Sequence, residues 1–190
     1  MFSKTLKRGD TGWEVQLLQI KLSGFRGTTW DGSFGPGTEL QVMQFQKDFM
    51  GSHAPTGIVD PITSKAIDTF ALKYPVDFSF LKCPCGACSG FGNGLNLNVY
   101  QAGMPSVEAY YRYEYPGIHK AILWSARAVM YYNPQYKMVF TSGYRCEQDN
   151  VIHGRTSTNH HGKAVDLGII LPKDQASQPD AIRNTTKAKK

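Results

Sequence analysis

No apolar run in this 190-residue chain approaches the roughly 20 residues needed to cross a bilayer, which excludes a helical membrane span. The opening "MFSKTLKRGD" carries charge without an apolar stretch behind it, so a signal peptide is not expected and synthesis in the cytoplasm is. Cysteine is scarce. There are four, with Cys83, Cys85 and Cys88 crowded into "CPCGACSG" and Cys146 far downstream. That spacing, without an export signal, argues against a disulfide framework; it leaves either a thiolate metal knot or reduced cysteines, and paired Cys-x-x-Cys knuckles are absent. Acidic residues are also in short supply, 15 against 21 Lys and Arg, for a formal charge of +6. This modest excess favours polyanionic partners, cell-wall polymers or nucleic acid, and no nucleic-acid recognition motif accompanies it. No membrane partner is expected, and the chain is expected to be a monomer.

What the chain does contain is a globular composition, 41% hydrophobic and 12% aromatic, enough for one ordinary core or two small ones. An internal repeat stands out. "GSFGPGT" (Gly32 to Thr38) recurs in outline as "GIVDPIT" (Gly57 to Thr63), each a turn running into a helix start. Val42, Phe45 and Phe49 follow the first copy, and Ile67, Phe70, Ala71 and Tyr74 the second, at helical spacing. Thr38 and Thr63 are expected to cap these helices. Ahead of both, "GWEVQLLQIKL" places Val15, Leu18 and Leu22 on one face, so three short helices around one small core are expected.

The composition turns to glycine, asparagine and cysteine after "KYPVDFSF", which marks a boundary near residues 74 to 80 and divides the chain into units 1–74 and 75–190. In the second unit, "IHKAILWSARAVMYY" reads as a helix with Ile118, Ile122, Ala126 and Val129 on one side, ending before Asn133-Pro134. "KMVFTSGYR" and "AVDLGIIL" read as short buried strands. A helix against a small sheet, behind a helical unit, makes the fold class α+β. Asp166 lies inside the second apolar run, where a buried carboxylate needs a metal or a cation. His160 or His161, a turn earlier, could share a zinc ion with it; an Asp166–Arg145 ion pair with the histidines in solvent is the alternative.

Two resemblances sharpen these readings. "LKRGDTGWEVQLLQIKL", "DGSFGPGTELQVMQFQKDF" and "TGIVDPITSKAI", across about residues 4 to 72, resemble the three-helix peptidoglycan-binding domain found at the ends of many wall hydrolases. The resemblance implies peptidoglycan as partner, held in a shallow groove, with Asp31, Phe34 and Gln46 as candidate substrate contacts. Burial competes for Phe34, Phe45 and Leu18, which equally suit a core. "SGYR" followed by "STNHHGKAVDL", within about residues 76 to 171, resembles the zinc D-alanyl-D-alanine carboxypeptidases and their phage endopeptidase relatives, which share a fold with the Hedgehog signalling domain.

That second resemblance implies zinc as cofactor, His160 and Asp166 as metal ligands and Arg145 as the catalytic cation facing a substrate carboxylate or polarised carbonyl. It thereby implies an endolysin-like peptidoglycan hydrolase acting at the bacterial wall; a wall-binding protein with an incomplete peptidase half is the alternative. The family's usual ligand spacing falls on Asn159, whereas His160 leaves five residues before Asp166 and His161 leaves four. The family's third ligand, a histidine after the acid, has no counterpart, since no histidine follows His161; a mobile loop makes His153 a poor substitute. The peptidase half is therefore expected to be cut short and to hold zinc weakly.

Overall fold

The structure, a computed structural model, describes residues 1–27, 29–76, 83–86, 113–114, 118–156, 162 and 164–170. Its elements run α1 (Trp13–Lys21), α2 (Pro36–Asp48), α3 (Pro61–Lys73), β1 (Tyr113–Glu114), β2 (Ile118–His119), α4 (Lys120–Tyr132), β3 (Lys137–Ser142), α5 (Glu147–Ile152) and β4 (Asp166–Ile170). Among the described residues three helices come first and two small antiparallel sheets, β1-β2 and β3-β4, follow with α4 and α5. This is the expected α+β arrangement. Among the described residues no helix is long and apolar enough to cross a membrane.

The repeat has a specific physical basis. Gln19, on α1, is 1% exposed and reaches into the following turn. Its amide donates to Asp31 Oδ1 (2.9 Å), the Ser33 carbonyl (3.1 Å) and Thr38 Oγ1 (3.0 Å), and its Oε1 accepts from Gly32 N–H (2.9 Å). Gln46, on α2 and 4% exposed, does the same one repeat later. It donates to Thr56 Oγ1 (3.1 Å), the Ile58 carbonyl (2.9 Å) and Thr63 Oγ1 (3.1 Å), and accepts from Thr56 and Gly57 N–H (2.9 and 3.0 Å). Each buried glutamine thus satisfies the polar backbone of a tight turn that the core would otherwise strand. Gly32 and Gly57 stand at φ +74° and +71° in these turns, and a Cβ on Gly57 would fall 2.8 Å from Glu39 Cγ, so glycine is needed twice over at that position.

These bonds correct the expected caps. Thr38 and Thr63 sit inside the first turns, with their hydroxyls turned to Gln19 and Gln46. The cap positions belong to Gly35 and Asp60, each followed by a proline whose missing N–H is harmless there. Asp60 Oδ1 accepts from Thr63 N–H at 2.7 Å. That bond, followed by the Thr63 hydroxyl, holds the Asp60 carboxyl below its ordinary 3.8.

The core of the helical unit contains Leu18, Leu22, Phe25, Phe34, Val42, Phe45, Ile67 and Phe70, and it extends onto α4 through Ala121, Trp124 and Ala128. Trp124 stacks on Phe70 at 6.2 Å between centroids, and Tyr131 packs against Phe25, Phe49, Phe70 and Tyr74. The hydroxyls of Tyr131 and Tyr132 donate to the carbonyl and carboxylate of Asp48. Gly24 permits the approach: a Cβ there would lie 2.1 Å from Ala128 Cβ. A different face of α4 joins a second core of Val76, Ile118, Leu123, Ala126, Phe140, Tyr144 and Cys146. The helix runs to Tyr132 as expected, but it buries two faces rather than the single one read from Ile118, Ile122, Ala126 and Val129.

Gln46→Leu should destabilise the chain by about 2–4 kcal/mol in denaturant unfolding, since each buried N–H or C=O left unpaired costs about 1–3 kcal/mol; an unchanged midpoint would remove the glutamine from this role. Asp60 is expected to contribute to acid sensitivity. With its folded pKa lowered, its stabilisation is present above 3.8 and lost as pH falls through the folded value. Asp60→Asn, which keeps a capping oxygen, should therefore flatten the stability curve below about pH 4 in acid titrations followed by circular dichroism.

Candidate functional site

The β3-β4 ladder places the candidate catalytic residues. It pairs Phe140 with Leu167 and Ser142 with Asp166, with an irregularity between Phe140 and Ser142 that leaves Thr141 as the extra residue. Such a bulge re-aims the strand end. Leu167 packs toward the second core, and because neighbouring strand residues point to opposite faces, Asp166 points outward. Its side chain is 51% exposed, so the expectation of a buried carboxylate is corrected by strand alternation. Both strands are in fact only partly buried, with Phe140 the fully packed exception.

Arg145 follows the turn after β3. Its Nη2 donates to Ser142 Oγ at 2.7 Å and lies 3.6 Å from Asp166 Oδ2. The Arg145 side chain is 21% exposed, with Nη2 against the strand end. A carboxylate and a guanidinium with shared access to solvent can respectively ligate a cation and receive an anion or polarised carbonyl. His160 and His161 lie outside the described residues, as does Cys88. His153 is held elsewhere. Its Nδ1 sits 2.8 Å from the Asp149 carbonyl and 3.3 Å from Asp149 Oδ1. The 1%-exposed Asp149 carboxylate also accepts from Arg155 Nη1 at 2.7 Å, which ties down the chain just before the histidine-bearing stretch. Nothing in the sequence pattern signals Asp149 for this role, because it lies on a single short helix without periodicity.

The helical unit offers a separate cleft of ≈ 560 Å³. Trp13, Gln16, Asp31 and Ser33 line it from α1 and the first repeat turn, and Lys120 closes it from α4. Trp13 is 69% exposed, a large aromatic face free for contact. Asp31 stays at the rim, its carboxyl held below the usual range by the Ser33 backbone N–H and then by Gln19. Phe34 is 1% exposed and belongs to the core, and Gln46 spends its amide on the second repeat turn. Neither presents a side chain to the cleft. Sequence reading missed Trp13 and Lys120 because exposure and the closeness of α4 are tertiary facts. Next to Lys120 in the chain, His119 stacks on Trp30 at 4.5 Å, and its backbone N–H donates to the Gly162 carbonyl at 2.8 Å.

Residues 11–67 match the family profile described as "Putative peptidoglycan binding domain". Over 177 residues, 88% of this chain, the sequence is 27% identical to a zinc D-Ala-D-Ala carboxypeptidase of Streptomyces albus G, and it spans 62% of that protein's length. Among solved structures, the N-terminal domain of SleB is similar at 28% identity, covering 36% of this chain and 94% of that one with a TM-score of 0.33. A peptidoglycan-binding-like helical unit joined to a region similar to a zinc carboxypeptidase is thus the composition of the chain.

An ion pair this exposed contributes at most about 1 kcal/mol. Asp166→Asn should accordingly shift the unfolding free energy by no more than about that amount, and a drop of several kcal/mol would make Asp166 a structural residue.

Proposed function

We propose that this chain is a cell-wall hydrolase of the endolysin type, with the helical unit holding peptidoglycan and the Arg145–Asp166 edge acting on its stem peptides. The domain division taken is 1–74 for wall binding and 75–190 for the peptidase-like part. The observation that carries the reading is the convergence of Arg145 and Asp166 at one solvent-facing strand end, in a region similar to a zinc D-Ala-D-Ala carboxypeptidase. An anionic oxygen and imidazole nitrogen are donors that suit zinc, and the outward aim of Asp166 leaves its carboxylate accessible to an ion. Asp166 and His160 are the residues that would hold it. When bound, zinc supplies Lewis-acid polarisation of a carbonyl and lowers the pKa of water.

The chain's own groups do the positioning. Ser142 Oγ accepts one Arg145 N–H and orients the guanidinium, whose remaining donors can receive a peptide carboxylate or the oxygen of a carbonyl under attack. In the cleft, the Trp13 face and the polar rim of Asp31, Ser33 and Lys120 suit a ligand with both apolar and hydrogen-bonding faces, as a glycan carrying peptides has. A second reading, wall binding without catalysis, is supported by the Arg145–Asp166 ion pair, in which the guanidinium already serves as the acid's cationic partner. The action is placed at the bacterial cell wall, and a phage source suits an endolysin.

The full chain should sediment with purified peptidoglycan sacculi. Trp13→Ala should weaken that binding about tenfold, about 1.4 kcal/mol, without altering the unfolding midpoint; a chain that stays in the supernatant would sink the wall-binding reading. With zinc added, chromatography of the digested sacculi should reveal new peptide ends, lost in Arg145→Ala while sedimentation persists. Sedimentation without any new ends at all would select the non-catalytic reading.

A further inference from the structure

Three thiols from distant parts of the sequence meet at the edge of the second core. Cys83, Cys85 and Cys146 bring their sulfurs within 4.8 Å of one another. The Cys85 and Cys146 sulfurs are 3.7 Å apart. Cys146 is 2% exposed, and the other two are half-buried. A tetrahedral ion with metal–sulfur bonds of about 2.3 Å sets its sulfurs about 3.8 Å apart, a spacing that this thiol–thiol contact already matches.

The backbone is arranged for negative sulfur. Cys83 Sγ accepts from the Cys146 N–H at 3.2 Å and also from the Cys85 N–H. Cys146 Sγ accepts from the Asp149 N–H at 3.4 Å. Gly86, at φ +67°, turns the chain immediately after Cys85. Amide donors aimed at sulfur favour the thiolate over the thiol. A bound cation adds the positive charge that three neighbouring thiolates require.

We propose that Cys83, Cys85 and Cys146 form a structural site for one thiophilic divalent metal ion of the zinc class, separate from the Asp166 edge. On binding, each thiol gives up its proton to solvent and becomes a thiolate ligand, with no change of oxidation state; the three sulfurs supply three of the four tetrahedral positions. The ion joins residues 83–86 to the turn that carries Arg145, the residue before Cys146, and it steadies the start of α5, where Cys146 is the cap. The site serves to position Arg145, and it requires neither wall binding nor hydrolysis.

Cobalt(II) reports the ligands directly. The full chain, reduced and stripped with chelator, is titrated with Co²⁺ alone. Expected is an intense near-ultraviolet sulfur-to-cobalt charge-transfer band saturating at one equivalent, release of protons, and displacement of the band by Zn²⁺. Asp166→Asn should keep the band and Cys146→Ser should lose it. If Cys146→Ser fails to fold, the wild-type spectrum and its proton release decide the matter. A wild-type spectrum without the charge-transfer band would overturn the proposal, as would recovery of Cys85 and Cys146 as a disulfide in native protein alkylated before any reduction.

Discussion

Helix α4 is the shared wall of this molecule. Ala121, Trp124, Ala128 and Tyr131 lie at helical spacing on the side facing the three-helix unit, while Leu123 and Ala126 face the core beneath β3. A helix that buries two faces cannot rotate or slide to suit one partner without unpacking the other. The Gly24–Ala128 approach fixes how near it comes, and the Tyr131 and Tyr132 bonds to Asp48 fix its far end. The cleft and the Arg145–Asp166 edge therefore take their positions from one element. Lys120, at its beginning, lines the cleft, and His119, its cap, bonds to both Ala121 N–H and Gly162.

Within the helical unit the organising device is polar. Gln19 and Gln46, one per repeat, occupy buried places that an apolar side chain of similar size could fill, and they do so because the turns behind them bring backbone N–H and C=O groups into the interior. This accounts for a repeat that conserves turn geometry more closely than apolar content. It also explains why Gln46 cannot serve a ligand: its oxygen and nitrogen are already committed.

The candidate catalytic edge is built differently, from an irregular strand end with modest burial. The bulge at Thr141 sets Ser142 opposite Asp166 and brings the Arg145 guanidinium back over both. Behind that turn, Cys146 lies in the second core against Cys83 and Cys85, and Asp149 gathers His153 and Arg155. The exposed pair thus rests on a buried foundation, as a group that must meet a ligand without shifting requires.

Much of this organisation was legible in the residues. Helical periodicity located α1 to α4, the repeat marked two like turns, and the apolar runs located β3 and β4, because these signals depend on neighbours only a few positions apart. Cap assignment failed at Thr38 and Thr63 since a threonine beside a turn looks the same whether it bonds to its own helix or to a distant glutamine. Asp166 looked buried because an apolar run does not tell which face is covered, and Phe34 had two roles open until packing chose the core. By itself the sequence determined the local elements, the charge and the inventory of chemically able groups. Only the tertiary structure decided that α4 serves two cores, that Trp13 and Lys120 share a cleft, and that thiols 61 and 63 residues apart stand at ligand distance. Those outcomes depend on long-range packing, in which side chains compete for the same buried volume, and no short window of residues contains that competition.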